Sequence, residues 1–245
     1  MEKVLYTEML PHEFQEAVKK MPVAYLPLGT LEWHGPHLPL GADGIQSQGL
    51  FIKIAQKIGG VVCPMLFLGP DSACEENGRE FYGMDCGNFD QSHPYPMQQL
   101  PGSAYWIPQG VYLTLLESVV KQLHRAGFKI LVAHGHGPSV NLFRQFKDYL
   151  EERYQMICLD CWEWDGEADL GFQVDHAAAN ETSITWGLRP DLVDMTRLPK
   201  EGWPLGIAGK DPRIDASEEM GKKILDAQTD HMTTLILDKL KQITE

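Results

Sequence analysis

Apolar residues along this chain fall into two kinds of run. "PVAYLPLG" (22–29), "VVCPMLFLG" (61–69), "FKILVAH" (128–134) and "MICLDCW" (156–162) are short, dense and mostly apolar. Runs of that length read as strands buried on both faces. Between them the spacing changes to three and four. Residues 9–20 read as a helix, and Ile45, Leu50, Ile54 and Ile58 recur at helical spacing up to the pair Gly59–Gly60. Val111, Leu115, Val119, Val120 and Leu123 mark a helix over 108–127, and the stretches 139–154 and 217–244 carry two more. Strand and helix alternate almost throughout, which predicts an α/β fold with three layers, α/β/α, around a mostly parallel sheet. The stretch 70–107 has no clear period and many Gly, Pro and Asn residues, and is expected to be one long loop.

Composition narrows the partners. Of 245 residues, 43 % are hydrophobic, enough for a substantial core, and the length fits one domain over 1–245. The formal net charge of −13 would repel a phosphate backbone, so no nucleic acid partner is expected. No run approaches the roughly 18 apolar residues of a membrane span. The opening "MEKVLYTEMLPHEF" carries acids where a secretory leader carries lysines, so a cytoplasmic location without membrane attachment is expected. Five scattered cysteines do not form a disulfide framework. Cys158 and Cys161, three apart on a strand, would face opposite sides and read as separate buried thiols.

Candidate chemistry lies where the strands stop, and ligands of parallel α/β sheets gather beyond the carboxyl ends of strands. After the first strand, "GTLEWHGPHLPLGAD" places Glu32 and His34 two apart, on one side of an extended backbone, with Asp43 just ahead of a helix. Asp43 could cap that helix with one oxygen or bridge two cations. "LVAHGHGPSVN" puts His134 and His136 at the end of another strand, and "VDHAAANETS" adds Asp175, His176 and Glu181. Histidines and carboxylates without cysteine suit a divalent site such as Zn²⁺ or Mn²⁺. His12, His93, His124 and His231 stand alone and read as packing or surface residues. Trp162 and Trp164 could wall a substrate site or simply pack. Glu75, Glu76, Asn77 and Arg79 in the long loop read equally as selectivity residues or as a solvated segment.

"PLGTLEWHGPHLPLGAD", "PGS", "HGHGPSVN" and "HAAANETS", in this order and spacing, resemble the creatininase (creatinine amidohydrolase) family over nearly the whole chain. The resemblance implies an α/β/α fold, a pair of divalent metals (Zn²⁺ or Mn²⁺, with Fe²⁺ or Mg²⁺ as further options) and assembly into a homo-oligomer, a hexamer in several members. By the same resemblance Glu32 and His34 are ligands on opposite metals and Asp43 bridges. His136, His176 and Glu181 match residues of further family motifs, His136 and Glu181 as candidate metal ligands; His176, whose ordinary pKa is about 6.5, reads as the catalytic residue that moves a proton to the leaving nitrogen. Asp175, next to His176, reads either as a residue that orients it or as an exposed turn aspartate, and with Trp162 it is a candidate for the substrate side of the site. The implied function is metal-dependent hydrolysis of a C–N bond in a small cyclic or linear amide by activated water. The alternatives are a formamide hydrolase on a nucleotide-like substrate, trimming of a peptide terminus, or a catalytically degenerate, metal-stabilised binding protein. Two departures count. Creatininases carry a metal-binding Glu two residues after the histidine matched by His136, where this chain has Pro138, and Ala179 replaces a usual glutamate. They point away from creatinine itself and leave Glu181 or His134 to supply the missing ligand.

Overall fold

The computed structural model describes residues 3–244. Strand β1 (Val23–Leu28) is buried at all six positions. It lies between β2 (Val61–Val62) and β5 (Ile130–Gly135), with β6 (Ile157–Leu159) beyond; the order is β2-β1-β5-β6 and every pairing is parallel. Alternate residues separate into two cores. Tyr25, Ile130 and Val132 face one side and pack with Leu50, Phe51, Ile54, Ile224 and Met232. Ala24, Leu26, Leu131 and Ala133 face the other and pack with Tyr112, Leu116, Val120, Phe143 and Leu150. The first core is closed by α2 (Ala42–Ile58) and α7 (Glu218–Thr244), the second by α1 (Pro11–Lys20), α3 (Gln109–Ala126) and α4 (Gly137–Tyr154). The expected three-layer α/β/α architecture is therefore present. Each fully buried Leu or Ile in it is worth about 1.5–3 kcal/mol over its exposed state.

Several elements differ from the sequence expectation. The strand expected over 61–69 is regular only at Val61–Val62, because Pro64 has no N–H to give to a ladder. One further bridge, Leu28 to Leu66, keeps the chain beside β1. The expected loop 70–107 contains an antiparallel hairpin, β3 (Ala73–Glu76) and β4 (Arg79–Tyr82), turning at Asn77–Gly78 with φ of 54° and 74°. Both of those residues take positive φ, as a tight hairpin turn requires. Cys74 and Cys86 form a disulfide that ties this hairpin to the turn after it. The expectation that the cysteines form no bridged framework thus has one exception, inside a segment without a pattern to reveal it. Cys158 and Cys161 are free and buried, in opposite cores, as strand geometry demands. Two helices carried no periodic signal, α5 (Ala179–Leu188) and the single turn α6 (Pro212–Asp215). Among the described residues no helix is long and apolar enough to cross a membrane.

The end of β5 sets up the chemistry. Gly135 has φ of 149°, and a Cβ there would run into the Leu28 carbonyl oxygen of the neighbouring strand. Only glycine lets β5 stay against β1 and still turn into α4 with His136 at its N-cap. Gly135→Ala is expected to lower unfolding free energy by about 2–4 kcal/mol, as overpacking and backbone strain combine. Urea unfolding of the variant measures this, and an unchanged midpoint would show that the junction relaxes freely.

Candidate metal centre

Three loops deliver polar groups to the carboxyl ends of the strands. The loop after β1 is held by a brace from the "PGS" motif, since the Trp33 N–H donates to Ser103 Oγ at 2.8 Å and the Ala104 N–H to the Leu31 carbonyl at 2.9 Å. This fixes Glu32 and His34. His34 is fully buried, with Nδ1 3.2 Å from the Glu32 carbonyl and Nε2 3.3 Å from Asp43 Oδ1. The same Nε2 lies 3.8 Å from Glu32 Oε1 and 3.7 Å from Glu181 Oε2. Asp43 sits in the first turn of α2, but the N-cap is Gly41 and no side chain caps that helix. The capping role left open for Asp43 is not the one it takes: its carboxylate turns toward His34 and Gln173.

His136 lies behind a hydrogen bond between its Nδ1 and Ser139 Oγ, 2.9 Å long. That contact leaves Nε2 buried and without a hydrogen-bond partner, 3.9 Å from Glu32 Oε2 and 3.4 Å from Asp71 Oδ2. A buried orphan nitrogen is costly unless something outside the protein's own hydrogen bonds satisfies it.

His176 is pinned by paired backbone hydrogen bonds with Ala208. Its Nε2 lies 2.9 Å from the Trp33 carbonyl, which fixes the proton on Nε2 and turns the Nδ1 lone pair toward Glu32 Oε1, 3.8 Å away. Burial, aided by the nearby His34, pushes its pKa down to about 3, so the ring is neutral. Asp175 is not aimed at His176. Its two oxygens accept the N–H groups of Asn180 and Glu181, at 2.7 and 3.0 Å, and so hold the start of α5. Glu181, in that first turn, accepts the Ala177 N–H at 2.7 Å and extends into the cluster.

His134 and His37 stay outside. His134 Nδ1 accepts the Cys161 N–H at 3.1 Å, and the ring packs against Trp162 and Phe172. Burial pushes its pKa to about 3, so its one ring proton is on Nε2 and neither nitrogen offers a free lone pair. His37 instead contacts Thr182 Oγ1 at 2.8 Å.

Donor atoms converge in three overlapping groups: Glu32, Asp43 and His136; His34, Asp43 and Glu181; Glu32, His34 and His176, each within 4.8 Å. Asp43 belongs to two of them. A cavity of about 480 Å³ opens over the cluster, within the roughly 300–1,000 Å³ range of small-molecule sites. Trp162, Asp175 and Phe89 line it, as does Asp71, a residue the sequence did not single out. Glu75, Glu76 and Arg79 lie on the exposed hairpin and do not line it, and neither does Asn77 at its turn. Among the described residues no Lys or Arg lines this cavity. Burial, then repulsion from Asp43, raises the Glu32 and Glu181 carboxyls well above their usual range. Burial would raise Asp43 too, but the charge and hydrogen bond of His34 beside it hold it below the usual range. Carboxylates buried this closely without Lys or Arg partners are stabilised by cations. The orphan His136 nitrogen and the three donor groups therefore fit divalent ions.

Comparison with known proteins agrees with this architecture. A family model described as creatininase, creatinine amidohydrolase, matches residues 7–236. The creatinine amidohydrolase of Pseudomonas putida is 26 % identical over 196 residues, 72 % of this chain and 68 % of that protein. A crystal structure of creatinine amidohydrolase superposes with a TM-score of 0.76 at 21 % identity, covering 98 % of each chain. A mutant creatininase of Zn–Zn type does so at 0.75 and 21 % identity, covering 98 % of this chain and 99 % of that one. Matched over most of its length by the family model, the chain belongs to the creatininase family of amidohydrolases.

Proposed function

We propose that this protein hydrolyses a C–N bond other than a peptide bond in a small, uncharged amide, cyclic or linear, with two divalent ions held by Glu32, His34, Asp43, His136 and Glu181. The observation that carries the reading is the convergence of two donor groups on one shared carboxylate, Asp43. One group adds Glu32 and His136, the other His34 and Glu181. This nitrogen and oxygen set suits Zn²⁺ or Mn²⁺, with Fe²⁺ a further option and Mg²⁺ less well matched to its two histidines. A similar fold occurs with a Zn–Zn pair in the mutant creatininase, which supports the count of two.

Bound divalent ions would supply Lewis acidity, acidifying a water and polarising the substrate carbonyl. The chain's own residues do the rest. Neutral His176 keeps its Nε2 proton on the Trp33 carbonyl, so Nδ1 is free to take a proton from the water and return it to the departing nitrogen. Its low proton affinity reflects burial and two neighbouring histidines, and a negatively charged transition state would raise it. Trp162 and Phe89 present apolar surface to the cavity and would exclude bulk water around the reacting bond. Asp175 supports the site indirectly, by holding the turn that carries Glu181.

Cavity charge favours a neutral substrate over a nucleotide-like formamide. Phosphate recognition draws on Arg or Lys forks, and the lining carries neither. The test is a panel of lactams, hydantoin-like rings, linear amides and formylated nucleotides against protein loaded with Zn²⁺ or Mn²⁺. Turnover of an uncharged amide that disappears with chelator and returns with metal is the expected result. Turnover confined to the phosphorylated substrates would overturn the neutral-substrate assignment.

A further inference from the structure

The group formed by Glu32, Asp43 and His136 has one side open to the cavity. Pro138 occupies the position, two residues past His136, from which a creatininase glutamate would close it, and proline has no donor atom to offer. Glu181 cannot substitute there without leaving the other group, where it faces His34 at 3.7 Å. His134 has no free lone pair, because its Nδ1 holds the Cys161 N–H.

We propose that Asp71, delivered from the loop after β2, is the carboxylate that completes this ion site in place of the missing glutamate. Asp71 Oδ2 lies 3.4 Å from His136 Nε2, closer than Glu32 does, and that nitrogen is the buried atom without a hydrogen-bond partner. Two atoms that can both donate lone pairs, held at this separation inside the protein, are spaced as neighbours on a common ion. The side chain is 7 % exposed, and Oδ1 accepts the Ser72 N–H at 2.6 Å, which fixes the carboxylate with Oδ2 inward. Gly83 leaves room for it: a Cβ at that residue would collide with Oδ2. Among the described residues Asp71 has no Lys or Arg partner that would give it a purely structural pairing. One ion then has Glu32, Asp43, Asp71 and His136 around it, and the other His34, Asp43 and Glu181. The fourth donor to this ion then comes from the strand end after β2 rather than from the start of α4.

This inference rests on the two-metal reading above, and the experiment separates the two. Wild type, Asp71→Asn, Asp71→Ser and the double variant Asp71→Asn with Pro138→Glu are stripped with chelator. Each is then titrated with Mn²⁺ by calorimetry, with ion content read by elemental analysis. Asn and Ser both keep an acceptor for the Ser72 N–H, so either can report if the other does not fold. Two ions in the wild type and one tightly held ion in the single variants are expected, the second weakened at least about 10–100-fold. Restoration of the second ion by Pro138→Glu would mark Asp71 as a ligand, since a merely structural role would not be rescued from a different loop. Two ions at wild-type affinity in both single variants would overturn the assignment of Asp71 and leave the two-metal reading standing. No ion in the wild type would overturn both.

Discussion

Asp43→Asn is expected to abolish most amide hydrolysis, on the order of 10³-fold or more, and to strip metal from both positions. The side chain belongs to both donor groups that would hold the pair, so one substitution removes a charged ligand from each ion. Loss of supporting residues behind metal ligands already costs roughly 10–100-fold in affinity. A shared ligand should exceed that. Bound ions contribute several kcal/mol of transition-state stabilisation, and about 1.4 kcal/mol is tenfold in rate. The fold should survive, because Asp43 caps no helix and Asn keeps the shape. Steady-state rates at saturating substrate, together with a melting curve, check both halves. Near-wild-type turnover would remove Asp43 from the centre of the mechanism.

His176→Ala is the second large effect, expected to lower kcat by about 10²–10⁴-fold with little change in KM and with both ions retained. The neutral ring, with Nε2 anchored on the Trp33 carbonyl and Nδ1 facing Glu32, is arranged to move a proton. Truncation leaves the Trp33 carbonyl unpaired, at a cost of about 1–3 kcal/mol in stability, so the melting temperature should fall while the protein stays folded. Ion content decides between two roles, because His176 also forms a donor group with Glu32 and His34. Loss of one ion on truncation would make it a ligand and would return the proton transfer to another group.

Much of the architecture could be read from the chain, for physical reasons that particular elements make plain. Strands β1 and β5 are dense apolar runs because both faces of a parallel sheet are covered, and that density sets them apart from the spaced apolar positions of the helices. Helix α5 gave no signal, since Ala179 through Thr185 are all buried and a helix hidden on every side has no polar stripe. The hairpin was masked differently. Its Asn77–Gly78 turn is a strong marker, but the flanking strands are largely exposed and bury only Phe81, so the apolar alternation that would have supported it is absent.

The candidate site was legible where its residues lie close in sequence at the end of an apolar run. Glu32 with His34 and His136 after β5 met that condition, His176 and Glu181 stood out as a close pair ahead of an apolar run, and the structure gathers them all. His134 met it too and was misleading, because its ring nitrogen is taken by a backbone N–H from β6's end, a contact no spacing reveals. Asp71 escaped for the opposite reason. It also follows an apolar run at the same rim of the sheet, but stands alone between Pro70 and Ser72 with no histidine nearby in sequence. Position at a strand end was the available signal, and proximity to another ligand was the wrong additional demand.

The central claim is that two divalent ions sit on the Asp43 carboxylate and that hydrolysis needs both. Elemental analysis of wild-type protein purified without chelator, with activity followed as metal is removed and returned, tests it most directly. About two ions per chain, with turnover of a small amide recovering only as the second is restored, is the predicted result. One ion or none in fully active protein would contradict the account. No turnover at any loading would leave a metal-stabilised binding protein as the better description.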